Sequence, residues 1–293
     1  MALLRRVKSQ MSIFAHRRAR GLLEGEYGSV FKGRSLDFDD LRAYVPGDEV
    51  RDIDWKATAR HGSPLVRHYL AVRRQTVLLV TDTGRNMAAE SRDGEEKKDV
   101  AVMVLGVVGY LAHRHGDAVG LVSGDAGDSR TLPAKTGEAH LERLLRAVHD
   151  GTSLCSAPSR IETQLDFVAR NYAQRMLLLV VVDEGLPGAE TERLLRRLRA
   201  QHEILWFTVR DAELAGAGAR AGDAIDVATS GLLPGRLAAS ASLAGAYTRA
   251  RDERDAARLS LLRRLGIAEA DAGGSHDVVP AVFSLLERHR RGR

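Results

Sequence analysis

Three aspartates stand close together in the stretch "LRAYVPGDEVRDIDW", residues 41–55. Asp48, Asp52 and Asp54 are of the residue type that holds paired divalent ions in metal-dependent hydrolases. In an extended strand Asp52 and Asp54 share one face, so their convergence on a metal is geometrically allowed. The nearby basic residues that could instead neutralise the acids pairwise are Arg42, Arg51 and Arg60. Two interpretations therefore stay open, a hydrolytic site or a polar turn held together by its own ion pairs.

A second pair of acids follows two strongly apolar runs. "TVLLVTD" (76–82) ends on Asp82, and "RMLLLVVVDEG" (175–185) places Asp183 directly after its apolar core. Continuous runs of this kind are typical of parallel strands that are buried on both faces. In doubly wound sheets a ligand site forms beyond the carboxyl ends of the strands, where the strand order reverses. We therefore expect Asp82 and Asp183 to lie at such a site.

Alternating strand and helix patterns predict the sheet that positions these acids. Helices are predicted over 95–116 and in "EAHLERLLRAVHD", "RIETQLDFVARNYAQ" and "TERLLRRLRAQ". Strands are predicted in "DAVGLVSGD", "HEILWFTVRD" and, as the last one, "AIDVATSG". Pro133 confines the strand "SRTLPAKTG" to a sheet edge. This order predicts a doubly wound, mostly parallel α/β sheet over roughly residues 76–270.

The net charge of +5 is concentrated in the first twenty residues, which contain six basic residues and no acid. The rest of the chain carries 38 basic and 39 acidic residues, so it is close to neutral. Apolar residues at near-helical spacing in this arm predict a basic amphipathic helix over residues 1–20. Such a helix packs on its own domain, or it binds nucleic acid or contacts a membrane surface peripherally. We expect the first arrangement and no nucleic-acid partner.

Several functional classes lack their sequence features. Cys155 is the single cysteine, and no zinc, nucleotide or nucleophile–base motif is found. No signal peptide and no apolar stretch of membrane-spanning length is recognised, so we expect a soluble, cytoplasmic protein. The 293 residues, 44% apolar and 28% charged, are typical of a globular chain.

The stretch "TDTGRNM" (81–87) resembles the D-x-S-x-S loop of von Willebrand factor A domains. In that family, an Asp and two Ser, with a Thr and an Asp from later loops, hold a divalent cation at the top of the sheet. The resemblance implies a degenerate Mg²⁺ or Mn²⁺ site, because oxygen ligands suit these ions. Gly84 lacks the hydroxyl of that pattern, so we expect a reduced affinity. The implied ligands are Asp82, Asn86, Ser159 and Asp183.

Residues 20–90 resemble the signature of the domain of unknown function 58 family, which leads into a degenerate von Willebrand A domain. The matching residues are Phe38, Leu41, Arg42, Tyr44, Pro46, Gly47, Asp48, Arg51, Ile53, Asp54, Trp55, Ala59 and Arg60. The resemblance implies a non-enzymatic adaptor or substrate-binding partner of a MoxR-type AAA+ ATPase. It also implies a chain of four segments: the basic helix 1–20, the signature segment 21–75, the von Willebrand A-like domain 76–270, and a C-terminal helix with a basic tail, 271–293.

Overall fold

The structure, a computed structural model, describes residues 2–17, 38–45, 48, 50, 53–69, 75–215, 222–238 and 240–292. Its strands are β1 (Phe38–Ala43), β2 (Leu65–Tyr69), β3 (Thr76–Asp82), β4 (Ala118–Gly124), β5 (Ser129–Lys135), β6 (Leu177–Val182), β7 (Glu203–Val209), β8 (Ala224–Ile225), β9 (Leu232–Leu233) and β10 (Ala268–Ala272). Its helices are α1 (Leu3–Arg17), α2 (Trp55–His61), α3 (Lys97–Arg114), α4 (Glu138–Gly151), α5 (Ile161–Asn171), α6 (Ala189–Arg199), α7 (Gly235–Ala238), α8 (Ala241–Arg264) and α9 (Ser275–Arg291). A 3₁₀ helix covers Arg85–Ala88.

Contacts divide the chain into two units, residues 1–30 with 76–293 and residues 31–75. The larger unit is built on a six-stranded sheet of order β10-β7-β6-β3-β4-β5. All neighbouring strands are parallel except β5, which pairs antiparallel with β4 at the edge. The predicted fold class, a doubly wound and mostly parallel sheet of von Willebrand factor A type, is confirmed. The predicted four-segment division stays a prediction, and β10 lies across its boundary at residue 270.

Both faces of the sheet are covered by helices, which explains the unbroken apolar runs of its central strands. Every residue of β6 is buried. On one face, α5, α6 and α8 pack around Leu78, Val180 and Trp206. On the other face α3 contacts β3, β4, β6 and β7, and α1, α4 and α9 pack against α3.

Helix α1 uses its apolar face inside this unit. Leu4, Val7 and Met11 are buried, and the ring of Phe14 stacks on Phe283 with 5.6 Å between centroids. A Cβ atom at Gly106 of α3 would lie 2.5 Å from Val7, so the absent side chain permits this close approach. Most of the apolar face of α1 therefore packs inside its own unit, whereas Ile13 is exposed.

The sixth strand of the sheet is not the predicted one. The segment "AIDVATSG" contributes only β8, which pairs with β9 in a two-residue hairpin outside the main sheet. The sixth position belongs to β10, "AEADA", which pairs parallel with β7. Alanines alternating with acids have low strand propensity, so the pattern did not predict a strand. Its acids are instead held by arginines: Glu269 accepts from Arg258 and Asp271 from Arg210.

The smaller unit contains the antiparallel pair β1–β2 with α2 between them in sequence. Asp54 caps α2, because its carboxylate accepts the backbone N–H groups of Lys56 and Ala57. The helix ends at Gly62, whose φ of +80° suits a glycine. The polar turn that stayed open as one interpretation of residues 41–55 falls partly on residues outside the described ranges.

Candidate functional site

The strand order reverses between β3 and β6, so their carboxyl ends flank the crevice where doubly wound sheets bind ligands. Asp82 is the last residue of β3, and Asp183 is the first residue after β6. Asn86 lies on the 3₁₀ helix after β3, and Ser159 lies in the loop before α5. These four predicted residues line one cavity of about 220 Å³. We call this cavity the top pocket.

Asp82 is the most buried acid of the top pocket, with 2% of its surface exposed. One carboxylate oxygen accepts the N–H of Gly84 at 2.6 Å, and the other accepts the N–H of Arg160 at 2.5 Å. Burial, assisted by the negative charge of Asp183, raises its pKa to about 7, although these hydrogen bonds and the Ser159 hydroxyl pull the pKa down. Folding thus places a carboxyl group that changes charge near neutral pH at the centre of the pocket.

Gly84 packs directly against the loop that carries Ser159. A Cβ atom on Gly84 would lie 2.6 Å from the backbone Cα and N atoms of Ser159 and 2.7 Å from its Oγ. The Ser159 hydroxyl therefore lies close to where the von Willebrand A pattern would place a side chain at position 84. Packing requires a glycine at position 84, because the loop backbone leaves no room for a side chain. The hydroxyl of the von Willebrand A pattern is absent for this reason.

Asn86, Asp183 and Lys97 form the other side of the site. Asn86 Nδ2 donates to Asp183 Oδ2 at 3.1 Å, while Asn86 Oδ1 is buried and accepts no hydrogen bond from the described residues. Lys97 is 2% exposed; its Nζ pairs with Asp211 and lies 3.9 Å from Asp183 Oδ2. The site therefore contains a buried lysine ion-paired with Asp211.

Lys97 and Asp211 were missed from the sequence. Lys97 stands in the charged run "EEKKDV", which is typical of the solvated start of a helix. A lysine at the first position of a helix opposes the helix dipole, and this was the one available signal. Asp211 follows β7 and approaches the site only through the order of the strands.

The top pocket fits a divalent cation only partly. Its donors are the oxygens that Mg²⁺ and Mn²⁺ prefer, and the buried Asn86 Oδ1 offers an unused acceptor. However, Gly84 contributes no ligand, both Asp82 oxygens already accept backbone N–H groups, and Lys97 repels added positive charge. We therefore expect a lower affinity for Mg²⁺ or Mn²⁺ than a site with the complete von Willebrand A pattern would have.

The described signature residues have local structural contacts. Asp54 caps α2, and Asp48 Oδ2 accepts the N–H of Val45 at 2.9 Å. The side chain of Trp55 is 63% exposed. Gly47, Arg51, Asp52 and the side chain of Arg42 lie outside the described residues, so the predicted acid–arginine pairs stay a prediction. Tyr44 and Arg60 do not line the top pocket.

The topology and the top pocket define a class of protein: a von Willebrand A-like α/β domain with an acidic, oxygen-lined pocket at the carboxyl ends of its strands. The chain belongs to the family described as "Protein of unknown function DUF58", which it matches over residues 40–221. The resemblance seen in the signature segment is thereby confirmed.

Three mycobacterial proteins are similar to about two thirds of this chain. An uncharacterised protein of Mycobacterium bovis is 30% identical over 207 residues, which are 68% of this chain and 63% of that protein. Uncharacterised proteins of two Mycobacterium tuberculosis strains match to the same extent. The chain spans less than two thirds of the length of these relatives.

Solved structures resemble the chain at low identity. An aerotolerance-related membrane protein from Bacteroides fragilis has a TM-score of 0.46 at 12% identity, covering 73% of this chain and 98% of that one. A von Willebrand factor type A protein from Catenulispora acidiphila has a TM-score of 0.41 at 8% identity, covering 74% and 43%. The fold assignment rests on the strand order of the sheet. Within the described ranges, no helix has both the length and the apolar character that crossing a bilayer requires.

Proposed function

We propose that this chain is a non-enzymatic protein-interaction module that docks a MoxR-type AAA+ ATPase through its top pocket. The observation that supports the proposal most is the convergence of Asp82, Asn86, Ser159 and Asp183 on one cavity at the point where the strand order reverses. The ATPase comes from the family resemblance, and the cytoplasm is the compartment where we expect the two to meet.

The local chemistry of the top pocket favours binding over catalysis. Asp82 is held by two backbone N–H groups, and Asp183 by Asn86 with Lys97 close by, so both acids are fixed in place. Among the pocket residues of the described chain, no serine, cysteine or threonine contacts a histidine that could activate it as a nucleophile. Rigid, pre-organised polar groups of this kind provide specificity in a docking site.

Co-purification tests the proposal. The full chain and a MoxR-type ATPase from the same genome should form a complex on a sizing column. Asp183→Asn should weaken that complex, because the asparagine still accepts from Asn86 but lacks the charge. Asp166→Asn is the matched control, since Asp166 pairs with Arg170 on α5 and does not line the pocket. If the two proteins never associate, or if both variants bind alike, the proposal is wrong.

A metal-dependent hydrolytic site formed by Asp48, Asp52 and Asp54 is the second proposal. Asp48 and Asp54 make local turn and cap contacts, and Asp52 lies outside the described residues. Phosphodiesterase and peptidase assays with added Mg²⁺ or Mn²⁺ test it, with Asp48→Ala and Asp54→Ala as variants. Loss of hydrolysis with retained folding would support an enzyme, and loss of folding would support a structural role.

Binding of nucleic acid or of a membrane surface through the basic arm is the third alternative, and the ion pairs of α1 argue against it. Two basic side chains of α1 form ion pairs with acids of the same unit. Lys8 pairs with Glu138 at 2.5 Å, and Arg6 pairs with Glu95 at 3.2 Å. These pairs leave less positive charge for nucleic acid or anionic lipid. Removing residues 1–20 should therefore leave salt-dependent binding to DNA or to anionic vesicles unchanged.

A further inference from the structure

We propose that the top pocket accepts the guanidinium group of a partner arginine, with apolar side chains of the partner packed on the rim around it. This inference rests on the proposed docking function and names the chemistry of the group that docks. A divalent cation would be the other source of positive charge for the same pocket, and the experiment below separates the two.

The charge of the lining calls for a cation. Three acidic residues line the top pocket, Asp82, Glu162 and Asp183. Asp82, whose pKa is raised to about 7 by burial, is only partly ionised at neutral pH, so the charge comes mainly from Glu162 and Asp183. Arg160 also lines it, but its guanidinium pairs with Glu190 at 2.8 Å. Lys97 lies 3.9 Å from Asp183 but makes its closer ion pair with Asp211. The lining therefore keeps a negative charge that its neighbours do not fully neutralise.

The acceptors have the geometry of a site for several N–H donors rather than for a single ion. Asn86 Oδ1 is buried and accepts no hydrogen bond from the described residues. Asp183 accepts a side-chain hydrogen bond at Oδ2, from Asn86. An arginine presents five N–H donors in one plane, which can serve a carboxylate and a neighbouring amide oxygen together. A buried acceptor that lacks a donor costs about 1–3 kcal/mol, so an arriving donor regains that energy.

The size of the pocket also favours a side chain over an ion. Its volume of about 220 Å³ far exceeds the roughly 10–15 Å³ that one water molecule needs. The ammonium group of Lys97 lies 3.9 Å from Asp183. It repels a doubly charged ion about twice as strongly as a singly charged guanidinium, because Coulomb energy scales with the charge.

The rim supplies apolar surface where a partner backbone would lie. Leu186, which lines the pocket, is 53% exposed. The hairpin β8–β9 adds Ile225 and Leu232, 65% and 61% exposed. Arg85, next to Asn86, donates to a carbonyl in the turn of this hairpin, so the hairpin lies beside the site. Exposed apolar side chains around a polar centre are typical of protein-binding surfaces.

Short peptides test the inference on the full chain. The probes are acetyl-Leu-Arg-Leu-amide, its citrulline analogue, which is nearly isosteric and uncharged, and acetyl-Leu-Glu-Leu-amide. Each is titrated by NMR with EDTA and again with millimolar MgCl₂. We expect the arginine peptide to bind about tenfold more tightly than the citrulline peptide, with or without Mg²⁺. Equal binding of these two peptides, or a glutamate peptide that binds best and only with Mg²⁺, would overturn the inference.

Protein variants localise the binding. Asp183→Asn should weaken the arginine peptide about tenfold, and the surface control Asp166→Asn should change its affinity less than about twofold. Equal affinities in the two variants would place the arginine elsewhere and would refute the assignment to the top pocket. The citrulline comparison needs no change in the protein, so it remains decisive if Asp183→Asn folds poorly.

The inference and the proposed function fail in different ways. If the ATPase binds and Asp183→Asn weakens it, but the arginine peptide does not bind, docking stands and the arginine is wrong. If the arginine peptide binds as expected but the ATPase does not, the pocket chemistry stands and the partner is wrong.

Discussion

Replacing Asp82 by asparagine should change how the stability of the fold depends on pH. Asp82 is 2% exposed, and burial raises its pKa from an ordinary value of 3.8 to about 7. The folded state therefore binds the Asp82 proton more tightly than the unfolded state does. The resulting stabilisation is complete below the unfolded pKa and is lost as the pH rises through the folded pKa.

The size of this effect follows from the two pKa values. Between about pH 5 and about pH 7, Asp82 is mostly ionised in the unfolded chain and mostly protonated in the folded one. Stability then falls by about 1.4 kcal/mol per pH unit, or about 3 kcal/mol over this range. The amide that replaces the carboxyl group cannot titrate, so the variant lacks this term. It also loses one acceptor for a backbone N–H, which costs a pH-independent 1–3 kcal/mol, roughly.

Urea denaturation of the wild type and of Asp82→Asn at several pH values, in EDTA, measures the difference directly. We expect the wild type to lose about 3 kcal/mol relative to the variant between about pH 5 and about pH 8. Asp166→Asn should run parallel to the wild type. If the difference in unfolding free energy between the wild type and Asp82→Asn is the same at every pH, Asp82 does not have a raised pKa in the folded state. Millimolar Mg²⁺ should flatten the wild-type dependence only if the ion binds Asp82.

Other substitutions test the packing. Gly84→Ser restores the hydroxyl of the metal-binding pattern, yet its Cβ would lie 2.6 Å from loop backbone; we expect a loss of about 1–3 kcal/mol and no tighter Mg²⁺ binding by calorimetry. Gly106→Ala should lower the free energy of unfolding in urea by about 1–3 kcal/mol through the clash with Val7, and the better helix propensity of alanine offsets about 1 kcal/mol of this loss. Adding Val7→Ala should restore part of the lost stability, because it removes the clashing side chain. Arg258→Met leaves Glu269 buried without its partner and should cost about 3–5 kcal/mol, whereas the double change with Glu269→Leu should cost much less. Unchanged midpoints in these variants would contradict the contacts described.

Much of the fold could be predicted because its signals are local. The runs that became β3 and β6 are apolar at nearly every position, as strands buried on both faces require. Pro133 placed β5 at the sheet edge, where its missing N–H costs nothing. Asp82 and Asp183 were found because the strand ends meet at the point of reversal.

The remainder depends on contacts between distant residues. Strand β10 forms because β7 offers it an edge and arginines from elsewhere hold its acids, and no pattern within "AEADA" records this. Lys97 is paired inside the protein by Asp211, which is 114 residues away. The clash that keeps position 84 a glycine comes from the loop of Ser159. None of these causes lies within one turn or one strand of the residue concerned.

An affinity measurement tests the proposed docking of an AAA+ ATPase at the top pocket. The full chain, Asp183→Asn and Asp166→Asn are each titrated against a purified MoxR-type ATPase from the same genome, by calorimetry in EDTA. We expect a complex with the wild type and with Asp166→Asn, and a dissociation constant about tenfold higher for a folded Asp183→Asn. Equal affinity of all three proteins, or no complex at all, would contradict the claim.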